Sequence, residues 1–464
     1  MRAPQAFGSA ALAVYAAVSL TACGATTATR HGAGESPVPV GREAGRVDSG
    51  DGRQPTANEA LAMNALVLEA QRIRGLQFVR PVNIRVQNSA AIRASLSAEM
   101  EEDELLESRD VYIALGLLAP DVDIREVLLR VLGEQVVGYY DTKHARLVVR
   151  EDVLGSVMHT GRLNPRAIDP SATVLVHELV HALQDQVLGL GVSYEAERTV
   201  DEGNAFHALV EGDATLAMMV YGHDTPLERV TSRIDILRMA LDSGFSDLGD
   251  SPELNRAPPI VRIPLLSAYY DGALFCATLH ARRGWATVNR AYRELPASSE
   301  QVLHPERFVR GERPVPIVLP ALPELATEGF VTVAENTIGE LELRVYFDLG
   351  VDVDEYRAAD GWGGDRLRVV RDGSGTLGAI WATRWDTELD AIEAEAAARA
   401  VMDTVPVGER ASFAVARVDR NVVILRAIAP ELHAGILRAL MASTPTTTPS
   451  APVSRLPLPG ATAT

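Results

Sequence analysis

Apolar positions recur at helical spacing from Glu59 to Arg72 and alternate with polar ones from Val82 to Val86, predicting a helix and then a strand. A second helical stretch covers about Ile124 to Leu132, and the acidic run Glu99 to Glu107 reads as the solvated face of a helix. Gln135 to Tyr140 and Arg146 to Val149 read as the arms of a hairpin, with a turn at Asp141-Thr142-Lys143-His144. Two long apolar helices follow, over residues 169–189 and about 200–220, and further helices run to about Phe308. Beyond that the pattern shortens. Leu367–Arg371, Gly378–Thr383, Ser412–Val418 and Val422–Ala427 predict strands, with helices at Glu388–Met402 and Pro430–Met441. The fold class is therefore α+β: a helical domain with a small antiparallel sheet over residues 57–330, plus a smaller C-terminal α+β unit over 331–442.

The two ends read differently. Arg2 precedes an apolar run from Ala10 to Leu20, which is too short for a lasting bilayer span, so residues 1–22 read as a signal peptide. Leu20-Thr21-Ala22-Cys23 resembles the bacterial lipobox, which implies cleavage before Cys23 and a lipid on its thiol. Residues 23–56, rich in Gly, Ser, Thr and Pro, then make a lipidated flexible tether, and residues 443–464 a disordered tail. This implies a membrane-anchored lipoprotein of the bacterial cell envelope, in the outer membrane rather than the inner, facing the periplasm or the surface. With Cys23 taken by lipid, Cys276 is left without a disulfide partner, in an apolar stretch where it reads as a small buried hydrophobe. A formal net charge of -18 argues against a nucleic-acid partner, since phosphates demand clustered Lys and Arg.

The first long helix carries candidate chemistry. Asp169 suits its N-cap, Pro170 its first turn and Gly189 its end. Inside it lies His177-Glu178-Leu179-Val180-His181. Residues four apart on a helix differ by about 40° around the axis, so both imidazoles leave from one face, where one tetrahedral zinc can take both. Glu178 falls beside that position, placed to take a proton from the zinc-held water and hand it to the leaving amine. With 10 His and 62 acidic residues in 464 positions, chance predicts only about 0.03 such motifs per chain. The neighbours Val174, Leu175, Val176, Leu179, Val180 and Leu183 are apolar, a setting in which a His-Glu-His group without a metal would be costly.

The run His177 to Gln186, with Glu211-Gly212-Asp213-Ala214 downstream, resembles the gluzincin metallopeptidases, closest to a poorly characterised set of bacterial zincins. Residues 138–141, 298–305, 361–366 and 381–386 share the resemblance, which spans about residues 60–430. It implies a zincin-like fold for the helical domain and Glu211 as the third zinc ligand; the place of a metzincin's third histidine is held by Val187. His207, one turn earlier on the same face, competes with Glu211, and Gly212 would let the second helix lie close to the first. Many gluzincins have an Asp four residues after the ligand Glu to orient a ligating imidazole. Thr215 stands there in this chain, and Asp213 is the alternative. The resemblance also implies a His or Tyr that stabilises the oxyanion, for which His304 and Tyr270 lead over Tyr269 and His223. The hairpin at 135–149 can supply an edge strand for substrate backbone. In the C-terminal unit, Trp362, Asp365, Arg366, Trp381 and Trp385 read as packing and pairing internally.

Three functions stay open: a zinc-dependent peptidase with Glu178 as general base, a noncatalytic zincin-like lipoprotein serving as a binding or scaffold module, or a zinc hydrolase of cell-wall amides. An intact Glu178 favours an enzyme, since a retired site no longer needs its base.

Overall fold

A computed structural model describes residues 52–443, except 101, 164–168, 195, 223–225, 236, 240 and 243–250. The signal peptide, Cys23, most of the tether, His223 and the tail from residue 444 lie outside the described residues.

Helix α1 (Ala57–Arg74) begins at a capping box between Thr56 and Glu59 and ends at Gly75, whose φ of 68° needs glycine. Strand β1 (Asn83–Gln87) is followed by α2 (Ser89–Glu99), α3 (Glu102–Leu115) and α4 (Ile124–Gln135), then by the hairpin β2 (Gly138–Asp141) and β3 (Arg146–Arg150). The sheet order is β1-β3-β2. β2 runs antiparallel to β3, as the hairpin demands, but β1 runs parallel to β3. The expected antiparallel sheet is therefore mixed, because the chain between β1 and the hairpin is three helices long, enough for a crossover.

Helices α5 (Pro170–Leu183), α6 (Leu190–Tyr194), α7 (Val200–Gly222) and α8 (Pro259–Arg283) build the interior of this domain. α7 and α8 touch backbone to backbone. A Cβ on Gly212 would stand 2.0 Å from the Gly272 carbonyl carbon, and one on Gly272 2.2 Å from the Ala208 oxygen. Gly212 thus seats α7 against α8, not against α5 as its sequence position suggests. α8 is long and apolar enough to cross a membrane, yet 72% of its apolar window is buried within the fold, as in a core helix. Cys276, on α8, is fully buried.

The C-terminal unit holds a five-stranded antiparallel sheet in the order β4-β5-β6-β8-β7. Its strands are β4 (Val331–Asn336), β5 (Trp362–Arg371), β6 (Leu377–Trp385), β7 (Ala414–Val418) and β8 (Asn421–Arg426). Helices α9 (Gly339–Phe347), α10 (Glu388–Thr404) and α11 (Pro430–Ser443) accompany it. Trp362, Trp381 and Trp385 are buried at 0–1% exposure, in one core cluster with Leu115 and Val131 of α3 and α4. The sheet therefore shares its core with the first domain and is no separate lobe.

Of three buried acids near the seam, one ties the two parts together and two brace one part each. Glu342 of α9 accepts from Tyr112 of α3 (3.1 Å) and Asn204 of α7 (3.2 Å). Asp201 of α7 accepts from the backbone and hydroxyl of Ser299 (2.7 and 2.5 Å). Asp365 of β5 accepts the N–H groups of Ile338 (2.9 Å) and Gly339 (2.8 Å) at the start of α9. Burial, reinforced by neighbouring acids, pushes Asp201 and Glu342 up to about 8 against their hydrogen bonds. A folded-state value above the unfolded value of 4.5 means the proton is held in the fold, so Glu342's contribution is complete below pH 4.5 and is lost as pH rises through about 8. Glu342→Gln, which stays neutral, is expected to flatten the fall of Tm between pH 5 and 8.5 and to raise Tm at the upper end. An unchanged pH slope in thermal melts would contradict this.

Candidate metal centre

Asp169 accepts from the Ser171 N–H at 2.9 Å and Pro170 opens α5, as the sequence predicts. After Leu183 the helix widens into one π turn, Gln184–Leu188, and stops at Gly189 with φ 78°. Such turns recur at functional sites because the extra residue re-aims the side chains around it. Here it begins three residues after His181, at Gln184.

His177 and His181 converge as their spacing demands. Their rings meet edge to face with centroids 4.6 Å apart, and their Nε2 atoms are 3.0 Å apart. Glu211, from the middle of α7, places Oε2 3.0 Å from His177 Nε2 and 3.5 Å from His181 Nε2. Donors bound to one tetrahedral zinc at 2.0–2.1 Å lie about 3.3 Å from each other. Two imidazole nitrogens and a carboxylate oxygen at 3.0–3.5 Å therefore fit one such ion. All three residues are 0–2% exposed, so an ion held by them would be shielded from solvent.

Electrostatics agree. Burial pulls His181 down, yet the charge of Glu211, its hydrogen bond and the charge of Glu178 outweigh it and hold the imidazole up at about 9. Burial pushes Glu211 up, and the two imidazoles outweigh that, holding its carboxyl at about 2. Burial lowers His177, with Glu211 opposing. This balance favours a proton on His181 opposite Glu211, and a divalent cation, were one held there, would displace it.

Glu178 is fully buried beside this group. Its Oε2 accepts the backbone N–H of Tyr140, on the edge strand β2, at 2.9 Å. Burial pushes its carboxyl up to about 8; His181 and the Tyr140 N–H pull it down, and Glu211 adds to the rise. A divalent ion bound beside it would oppose that rise and favour the carboxylate.

Of the remaining sequence candidates, Tyr269 is at the site. Its ring stacks on His177 at 5.8 Å, and burial together with Glu211 and Glu178 pushes its hydroxyl well above the usual phenol value. Tyr270, the next residue on α8, turns away: its hydroxyl donates to Asp242 at 2.6 Å. One residue along a helix is a rotation of about 100°, which puts two adjacent tyrosines on different faces. His304 caps a short helix, Ser299–Leu303, and its partners are Glu340 (3.0 Å) and Asp360 (3.9 Å). Arg344 pairs with the same Glu340 oxygen. His304 thus belongs to an ion-pair network, not to the His177 group. Glu300, Glu312 and Asp386 form another acidic group, closed around the Arg307 guanidinium. His207 is buried near Tyr194 and Phe206, outside the His177-His181-Glu211 group. Val187 lies in the π turn and Thr215 is buried in α7.

Two site residues had no sequence signal. Gln184 accepts from His181 Nδ1 at 2.8 Å. The buried hydroxyl of Tyr194, at the end of α6, has no hydrogen-bond partner among the described residues, and Glu211 and Glu178 add to the burial that pushes it well above the usual value.

Comparison with known proteins bears on the other end of the chain. Residues 328–436 match the model of a family described as a domain of unknown function, DUF8575. That stretch is most of the C-terminal unit and contains none of the metal-centre residues. No curated protein and no solved structure matches the chain.

Proposed function

We propose that the protein is a zinc-dependent peptidase of the bacterial cell envelope, zincin-like in its helical domain and held to the membrane by lipid on Cys23. The observation that carries this reading is the convergence of His177, His181 and Glu211 within 3.0–3.5 Å beside the buried carboxylate of Glu178. Zinc held by those three residues would polarise a scissile carbonyl and acidify a water. Glu178 takes the proton of the attacking water and returns it to the leaving nitrogen. The hydroxyls of Tyr269 and Tyr194 approach the same group and are the candidates to donate to the developing oxyanion, in place of Tyr270 and His304. The edge strand β2 runs beside Glu178, but its four residues are buried and its Tyr140 N–H is taken by that carboxylate, so an extended peptide could pair with it only after a covering element moves.

One observation favours the second reading, a noncatalytic zincin-like lipoprotein acting as a binding or scaffold module. The four central residues are 0–2% exposed, so a substrate reaches them only after a covering element moves. The two readings part on hydrolysis. The mature chain is expected to cleave a mixed peptide library, to stop on treatment with a zinc chelator and to recover when zinc is returned. A library left intact at saturating zinc supports the scaffold; cleavage indifferent to the chelator contradicts the metal.

A further inference from the structure

We propose that Gln184, Asp213 and Arg74 form a buried positioning relay that fixes the tautomer and aim of His181; the inference rests on the metal reading above.

The oxygen and nitrogen of the Gln184 amide are told apart by their neighbours. One end faces two acceptors, the Val210 carbonyl at 3.0 Å and Asp213 Oδ2 at 3.1 Å, both on α7. Only the NH₂ end satisfies two acceptors, so the amide oxygen is forced to the other side, 2.8 Å from His181 Nδ1. An acceptor there requires Nδ1 to carry the proton, which leaves the Nε2 lone pair facing His177 and Glu211. The orientation of a side chain on α5 is thus dictated by acceptors on α7.

Asp213 is itself held in place. Its Oδ2 also accepts from the Tyr292 hydroxyl at 2.9 Å, and its Oδ1 lies 2.6 Å from Arg74 Nε. Arg74 ends α1 and is fully buried. Its Nη2 donates to Asn289 at 2.6 Å, and its guanidinium lies over the Trp285 ring at 4.1 Å. An ion pair with both partners at 0% exposure adds little stability over a well-packed apolar pair. What this one does supply is a fixed negative acceptor behind Gln184. Thr215, in the place where related sites put an aspartate, leaves that task open, and Asp213 performs it through an intermediary on the opposite helix.

The test is zinc affinity by chelator competition, together with the visible spectrum of the cobalt-loaded mature chain. Gln184→Met keeps length and packing but removes the acceptor. It is expected to lower zinc affinity by about 10- to 100-fold, the range seen when an outer partner of a ligating imidazole is lost, and to shift the cobalt bands. Asp213→Asn is expected to do the same, because its amide no longer fixes the Gln184 orientation. Should either fail to fold, Tyr292→Phe removes a single donor to Asp213 and is expected to give a smaller drop of several-fold with the same direction of band shift. A wild-type chain that binds zinc while all folded variants match it in affinity and spectrum overturns the relay alone. A wild-type chain that binds no zinc overturns the metal reading, and the relay with it.

Discussion

Glu178→Gln is expected to leave fold and zinc content intact while slowing peptide cleavage by about 10²- to 10⁴-fold, the usual contribution of a general acid–base group. The amide has the shape of the carboxylate, and its oxygen can still accept the Tyr140 N–H that now reaches Glu178 at 2.9 Å. It cannot accept a proton from water at neutral pH. Since burial already pushes the acid up to about 8, the neutral replacement also removes a desolvation penalty and should not lower Tm. The check is kcat/KM on one cleaved peptide, with zinc content determined on the same sample. A variant as fast as wild type would remove Glu178 from the chemistry and leave the metal without a base. A slow variant that had lost its zinc would instead assign Glu178 to holding the site together.

His181→Ala has the larger structural consequence. His181 would supply one of three donors to the ion, and in the ion's absence it faces the fully buried Glu211 as its main counter-charge. Without it only His177 and Glu211 remain, and Gln184 loses the group it accepts from. The affinity loss is expected to exceed the roughly 10- to 100-fold that follows from removing an outer partner of a ligand. Glu211 then pairs with His177 alone, so Tm should fall as well.

Much of this centre was legible from residue spacing, and the reason is local geometry. A cap, a proline and a terminal glycine bracket α5, and an i, i+4 pair on one helix has little freedom in where it points. Glu211 needed more, since nothing in the chain between residues 181 and 211 specifies how α7 crosses α5; the family resemblance supplied it, and the structure places it within 3.0 Å of His177. Tyr270 and His304 show where such reasoning stops. Choosing between adjacent tyrosines on α8 depends on the helix's rotation, which is set by the contact of Gly272 with α7. The destination of His304 depends on Glu340, 36 residues away and in the other unit. Gln184 was hidden for a related reason: its role arises from a π turn and from acceptors on another helix. In the C-terminal unit the alternation was strong enough to place four strands. β4 was not among the predicted strands: Val331, Thr332 and Val333 are exposed, and it is its pairing with β5 that makes it a strand.

The central claim is that two imidazoles of α5 and one carboxylate of α7 hold a divalent ion. Elemental analysis of the purified mature chain, beside its His181→Ala variant, tests it most directly. One zinc per wild-type chain and essentially none in a folded variant is the predicted result. A metal-free wild type after exposure to zinc, or equal zinc in both, would contradict it.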